Sequence, residues 1–314
     1  MSAQLLAIVG ATATGKTALA ESVAEKLGGE VVCADSRQLY RELERGTGKP
    51  GPEERVARPH HLFEALSLAS TAGDAHAPSA GWYAAEARAA CEAVHARGRL
   101  PVLVGGSGLY LAALQRGLSA APAVPPEVRA RVRGALEAEG PEALHRRLAG
   151  VDPATATRVR PGDRQRVTRA LEVFEASGRP LSWWQAHPGA MAVAAEWRAI
   201  ELVAAPAVLA RRIEARTGSM FERGLVEETR ALLAAGLGEP LARLRAVGYD
   251  ETAALILGRL TRAEAEARVN ARTRQLAKRQ RTWFRHQLES TRIESEGRGP
   301  AELLRAALDA LGRS

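Results

Sequence analysis

The chain has 314 residues, 46% hydrophobic and 25% charged, with 44 Lys and Arg against 36 Asp and Glu for a formal charge of +8. This is the composition of an ordinary globular protein of one large or two modest domains, and its two cysteines, Cys33 and Cys91, are too far apart for a close-spaced metal motif. No apolar run approaches the roughly 18 residues that span a membrane, and Leu5 to Val9 has no basic leader, so the chain is expected to be cytoplasmic.

Residues 4–9 read as a short buried strand that stops at Gly10, and 17–27 show helical spacing with Leu19, Val23 and Leu27 on one stripe. Between them, Gly10-Ala11-Thr12-Ala13-Thr14-Gly15-Lys16-Thr17 matches GxxxxGK[ST] in the strand-to-helix setting that the motif requires. Its glycines let backbone N–H groups turn inward around phosphate oxygens, and the helix N-terminus adds a favourable dipole. Lys16 supplies a point charge to the terminal phosphate, and the Thr17 hydroxyl is a ligand for Mg²⁺.

A second apolar run, Val31 to Ala34, stops at Asp35; residues 82–97 look helical, and 100–104 read as a buried strand running into Gly105-Gly106-Ser107-Gly108. An ATPase or GTPase places a metal-binding Asp at the end of a neighbouring strand. Here the carboxylate at the sheet edge is Asp35, which has three readings: metal ligand through water, proton acceptor, or cap of the following turn. The pair His60 and His61 has no metal-like partner at helical spacing and is given a structural or loop role.

From 125 to 190 the sequence predicts no strand. It predicts helices over 126–139, 141–149 and 163–177, punctuated by Pro125-Pro126, Gly140-Pro141 and Pro161-Gly162. Trp183 and Trp184 are expected to pack within this segment rather than stack on bases. Strand character returns at 198–204, helices dominate from 207, and Gly297–Pro300 reads as a loop before a final amphipathic helix. The predicted fold is α/β: a P-loop core with a parallel sheet flanked by helices, residues 1–115 and 196–314, carrying an all-helical insertion at 116–195.

Residues 268–285 hold seven Arg or Lys and no acid, with Val269, Leu276 and Trp283 forming a narrow apolar stripe. Such a run is either a solvated helix face or a surface for a phosphate backbone. On the insertion, Gln165, Arg166 and Arg169 share one helical face, and Arg and Gln side chains hold phosphates or read exposed loop bases.

These motifs together resemble the tRNA dimethylallyltransferase (tRNA isopentenyltransferase) family. The resemblance rests on the P-loop, Asp35-Ser36-Arg37-Gln38-Leu39-Tyr40, Gly46-Thr47-Gly48-Lys49-Pro50, Pro59-His60-His61-Leu62, Gly105-Gly106-Ser107-Gly108-Leu109-Tyr110, Arg169-Ala170-Leu171-Glu172 and Thr273-Arg274-Gln275-Leu276-Ala277-Lys278-Arg279-Gln280. They occur in family order from residue 10 to about 286.

The resemblance implies a P-loop that binds dimethylallyl diphosphate with Mg²⁺, an acceptor N6 on the adenosine 3′ of the anticodon, and Asp35 as general base. It also implies an arginine on the diphosphate, with Arg216 the better match and Arg212 the alternative. Contacts with the tRNA anticodon stem-loop are implied for Asp35, Ser36, Arg37, Gln38, Ser107, Arg129, Gln165, Arg166, Val167, Thr168, Arg169, Arg245, Gly248, Tyr249, Arg274, Lys278 and Arg279. The chain departs from the family pattern at Ala11 for Pro, Thr14 for Ser and Ser107 for Thr. Its Gly162-Asp163-Arg164-Gln165-Arg166 stands where the family has Asn-Asp-Pro-Gln-Arg, which bears on tRNA affinity more than on reaction type. A monomer is expected. The rival readings are a small-molecule or nucleotide kinase using ATP, a prenyltransferase acting on free AMP, and a nonenzymatic RNA-binding module.

Overall fold

The computed structural model describes residues 4–71, 79–118, 121–187 and 195–313. The chain divides into two compact units, one of residues 1–115 and 193–314 and one of residues 116–192.

The first unit is built on a six-stranded parallel sheet: β1 (Gln4–Gly10), β2 (Gly29–Cys33), β3 (His60–His61), β4 (Leu100–Gly105), β5 (Glu196–Val203) and β6 (Thr291–Glu294), in spatial order β3-β2-β4-β1-β5-β6. Helices on both faces explain why the central strands are continuous apolar runs rather than alternating ones. Leu6, Ala7 and Ile8 of β1 pair with Val102, Leu103 and Val104 of β4 and with Arg198, Ala199 and Ile200 of β5. All three β1 residues are almost wholly buried. α1 (Lys16–Leu27) crosses from β1 to β2, and α3 (Ala80–Ala96) leads into β4, after the short α2 (Pro52–Ala57). α4 (Gly108–Arg116) follows β4.

Two strands were not expected from sequence. β3 is an edge pair in which Val31 and Val32 oppose His60 and His61, and His61 binds Glu30 at 2.6 Å. β6 is the opposite edge; of Thr291-Arg292-Ile293-Glu294 only Ile293 is buried. An edge strand exposed to water needs little apolar content, so neither carries the signal that marks a buried strand.

After β5, α10 (Pro206–Glu222), α11 (Leu225–Ala234), α12 (Gly238–Leu244), α13 (Tyr249–Ile256) and α14 (Arg262–Gln287) enclose a second core. Tyr40, Leu43, Phe221, Leu225, Tyr249 and Val269 meet there. α14 begins with a capping box in which Thr261 and Glu264 satisfy each other's backbone N–H groups, and α15 (Pro300–Ala310) closes the chain.

The second unit is helical throughout its described residues: α5 (Pro126–Glu139), α6 (Pro141–Val151), α7 (Pro153–Arg158), α8 (Arg164–Ser177) and α9 (Leu181–Ala186). Val128, Val132, Leu144, Leu148, Val167 and Ala170 form its own core. Trp184 packs against that core and donates from Nε1 to Ser177 Oγ at 3.1 Å. Trp183 lies between Arg179 and His187, with the guanidinium 4.1 Å from its ring centroid and the imidazole stacked at 4.2 Å. Among the described residues no helix is long and apolar enough to cross a membrane.

Candidate active site

β1 leaves the sheet at Gly10, and the chain turns back through Ala13, an L-residue held at φ 66°, before α1 starts at Lys16. A non-glycine residue in the left-handed region is held there by its surroundings and marks a shaped site. Thr14 is buried, and its hydroxyl donates to Ala11 O at 2.8 Å, which fixes the loop from inside. Lys16 Nζ lies 3.5 Å from Ala11 O, and burial pushes its ammonium down to about 8 against the opposing attraction of Asp35. A low-dielectric pocket that disfavours the charged amine is a pocket that gains from an anion beside it.

Arg216 on α10 reaches the same loop. Its Nη1 lies 3.3 Å from Thr12 Oγ1, and its Nη2 donates to Thr47 O at 2.9 Å. Gly48 makes this approach feasible, because a Cβ there would sit 2.1 Å from Arg216 Nη2. Burial lowers the pKa of Arg216, while Asp35 acts to raise it. Arg212, one turn earlier on α10, spends its guanidinium on Ser295, through Oγ at 3.0 Å and the carbonyl at 2.9 Å, and on Ala13 O at 3.4 Å. Of the two arginines, Arg216 is the one joined to Thr12 and to the strap of residues 44–51.

That strap contributes to the wall of a cavity of about 740 Å³ lined by Lys16, Thr17, Lys49, Arg212, Arg216 and Arg223, among others, and also by Glu44, Glu54 and Glu228. The strap is anchored from below. Lys49 is buried and binds Tyr40 O at 3.1 Å, Glu44 at 3.1 Å and Glu64 at 3.2 Å. Gln38 Nε2 donates to Thr47 O and Gly48 O, both at 3.2 Å. Tyr249 OH accepts Gly46 N–H at 3.1 Å and donates to Glu228.

Asp35 lies two residues beyond the end of β2. Its Oδ1 accepts Arg37 N–H at 3.0 Å, so one carboxylate oxygen closes the turn. The capping role seen as an alternative in the sequence is therefore real and occupies one oxygen of the two. Asp35 is not among the residues lining that cavity, but its charge favours the charged forms of both Lys16 and Arg216, so it lies within electrostatic reach of the two cations. Ser107 secures the neighbouring edge: its N–H donates to Ala34 O at 3.1 Å, and its Oγ accepts Ser36 N–H at 2.9 Å.

The sequence matches one family model described as IPP transferase over residues 38–287 and another described as isopentenyl transferase over residues 3–62. The chain belongs to the IPP transferase family. A curated tRNA dimethylallyltransferase of Halorhodospira halophila is 45% identical over 99% of both chains, and one from Myxococcus xanthus is 46% identical over 90% of this chain and 89% of its own. The solved tRNA isopentenylpyrophosphate transferase of Bacillus halodurans is 31% identical with a TM-score of 0.69, covering 99% of this chain and 96% of that one. A eukaryotic dimethylallyltransferase acting on tRNA superposes with a TM-score of 0.78 at 25% identity, over 94% of this chain and 75% of its own. The kinase reading of the phosphate loop falls with this membership.

The residues that the family resemblance pointed to as RNA contacts divide by exposure. In the first unit Arg245, Arg274, Lys278 and Arg279 are exposed, while Ser36 and Arg37 are partly so. Tyr249 is fully buried and Gly248 is covered, so the side chain of Tyr249 serves the strap rather than an outside surface. Gln38 is likewise 8% exposed with its amide spent on Thr47 and Gly48. In the second unit Gln165, Arg166 and Arg169 are exposed together on α8, with Thr168 half-buried and Arg129 partly exposed on α5. Val167 is the exception: it points into the core of that unit. Arg164 holds the first helical position, where the family has Pro. Asp163 still caps α8 by accepting Arg166 N–H at 3.1 Å, so the departure leaves the helix start intact.

The basic run is less uniform than its sequence. Arg272 is paired internally with Asp250 at 2.8 Å and Glu251 at 2.6 Å and also holds Arg245 O at 3.1 Å. Gln280, unremarked in sequence beyond its place in the family motif, is buried and accepts Thr12 N–H at 2.9 Å. One cradle amide is therefore already engaged by a side chain from α14. A polar residue at a core-facing position, four before the buried Phe284, was the available signal.

Proposed function

We propose that this protein transfers a dimethylallyl group from dimethylallyl diphosphate to N6 of the adenosine 3′ of the anticodon in tRNA. The C–O bond to the diphosphate breaks and its electron pair leaves with the diphosphate. A C–N bond forms to N6, and the N6 proton passes to Asp35. The observation that carries the reading is a cationic phosphate cradle after β1 with Asp35 beyond the end of β2, the next strand but one in the same sheet, in a chain whose family relatives are named for this transfer.

The loop N–H groups, Lys16 and Arg216 would meet the charge that develops on the departing diphosphate with donors already in position. General-base removal of the amine proton is typically worth about 10²–10⁴-fold. Mg²⁺ fits the donor set: Thr17, which carries a hydroxyl, lines the cavity, and Mg²⁺ characteristically binds through few protein ligands together with substrate phosphate oxygens and water. Bound there, it would neutralise diphosphate charge, with Thr17 as its protein ligand. The adenine N6 lies on the pairing face of the base, so the acceptor must be drawn out of its stack. The exposed Arg and Gln residues of α8 and the basic outer face of α14 supply phosphate- and loop-binding chemistry for the anticodon stem-loop. We infer a cytoplasmic monomer.

The test is transfer of labelled dimethylallyl from its diphosphate to unmodified tRNA, with ATP and free AMP as competitors. Label in tRNA supports the reading. Label in AMP alone, or phosphate transfer from ATP, overturns it.

A further inference from the structure

Gln280 joins the two halves of the site. Its Oε1 accepts Thr12 N–H at 2.9 Å, and its Nε2 donates to Gly106 O at 3.1 Å. Thr12 belongs to the phosphate half: its Oγ1 lies 3.3 Å from Arg216 Nη1. Gly106 belongs to the Asp35 half. The next residue, Ser107, donates to Ala34 O at 3.1 Å and accepts Ser36 N–H at 2.9 Å, gripping the backbone on either side of Asp35. Gly106 also leaves the space that the amide fills, since a Cβ there would lie 2.2 Å from Gln280 Nε2.

A primary amide suits this place for a stated reason. It offers one acceptor and two donors on a rigid plane, so it can satisfy an N–H on one strand end and a carbonyl on the next at a single spacing. Once buried, both bonds are costly to leave unmade. Prenyl transfer needs the allylic carbon and the acceptor nitrogen held about 3–3.5 Å apart, and an error of about 1 Å can cost 10²-fold in rate.

We propose that Gln280 is a positioning residue for the transfer step, holding the diphosphate cradle and the Asp35 edge at the separation the reaction requires. This rests on the dimethylallyl-transfer reading. In this role Gln280 acts through Thr12 N–H and Gly106 O, not on the diphosphate or the acceptor directly.

The experiment compares wild type with Gln280→Met, which keeps the volume and removes both hydrogen bonds, and with Gly106→Ala, which displaces the amide from outside. The measurements are steady-state transfer of labelled dimethylallyl to tRNA, direct tRNA binding and thermal melting. For Gln280→Met the expected result is a fall in kcat of roughly 10- to 100-fold, with KM for the diphosphate and tRNA affinity near wild type. Gly106→Ala should reproduce the fall, and the double variant should lose no more than either single one, because both act through one contact. Wild-type kcat in both variants overturns the proposal. So does a loss confined to the tRNA KM, which would make Gln280 an RNA contact, or a lowered Tm with full kcat per folded molecule, which would make it structural. If Gln280→Met fails to fold, Gly106→Ala alone decides. Absence of transfer by wild type would remove the functional reading itself, an outcome distinct from these.

Discussion

At Asp35 and Lys16 the chemistry depends on which atoms the fold leaves available. One oxygen of Asp35 is spent on Arg37 N–H, and the other remains for a proton. Asp35→Ala is expected to lower kcat by about 10²-fold or more with tRNA binding retained, as read from single-turnover transfer beside a binding isotherm; unchanged turnover would remove Asp35 as base. Lys16 carries a testable pH signature because burial brings its pKa down to about 8. Below that value the ammonium is charged and attracts the diphosphate. Affinity for dimethylallyl diphosphate should therefore fall as pH rises through about 8 and beyond, by at most about tenfold per unit. Lys16→Met should bind weakly and show no such slope in a titration of Kd against pH. The same shift makes the charged amine unfavourable in the folded state, so its penalty to stability is present below about 8 and is relieved between there and 10.5. Sequence made Lys16, Thr17 and Asp35 legible through fixed spacing. It could not indicate that Tyr249, in a segment matched to RNA contact, turns inward to hold Gly46 and Glu228.

α14 combines two roles that its sequence does not separate. Arg274, Lys278 and Arg279 lie exposed, whereas Arg272 is bound to Asp250 and Glu251, and Gln280 is buried against the phosphate loop. Arg279→Ala should weaken tRNA binding and reduce its salt slope by about 1, the share of one released phosphate contact. Arg272→Ala should leave that slope unchanged and destabilise the fold by about 1–3 kcal/mol, because it strands the nearly buried Glu251 carboxylate. Salt-dependent binding and denaturant titration distinguish the two, and a flattened slope for Arg272→Ala would contradict the assignment. The strand β6 shows the converse limit. With only Ile293 buried it has no apolar pattern to read, and its pairing with β5 exists because the sheet edge is there to receive it.

On the scale of the molecule, each compact unit has a core of its own, which sets where a core defect is felt. Leu144→Ala removes a fully buried side chain from the helical unit and should cost about 2–5 kcal/mol. Hydrogen exchange should show the loss of protection across residues 121–187 and spare β1 and β4; uniform loss would mean that the units unfold as one. The sequence by itself determined the parallel core, the phosphate loop, the helical character of the insertion and the family. Each rests on short-range regularities: apolar runs of strand length, a period near 3.6, glycines and hydroxyls at set spacing. The tertiary structure alone decided that Arg216, and not Arg212, links Thr12 to the strap, that Gln38 and Lys49 hold the strap, that Arg272 is committed internally, and that Gln280 ties Thr12 to Gly106. The reason is physical: each of these is a contact between residues distant in the chain or a choice of which face is buried, and neither leaves a periodic trace in local sequence.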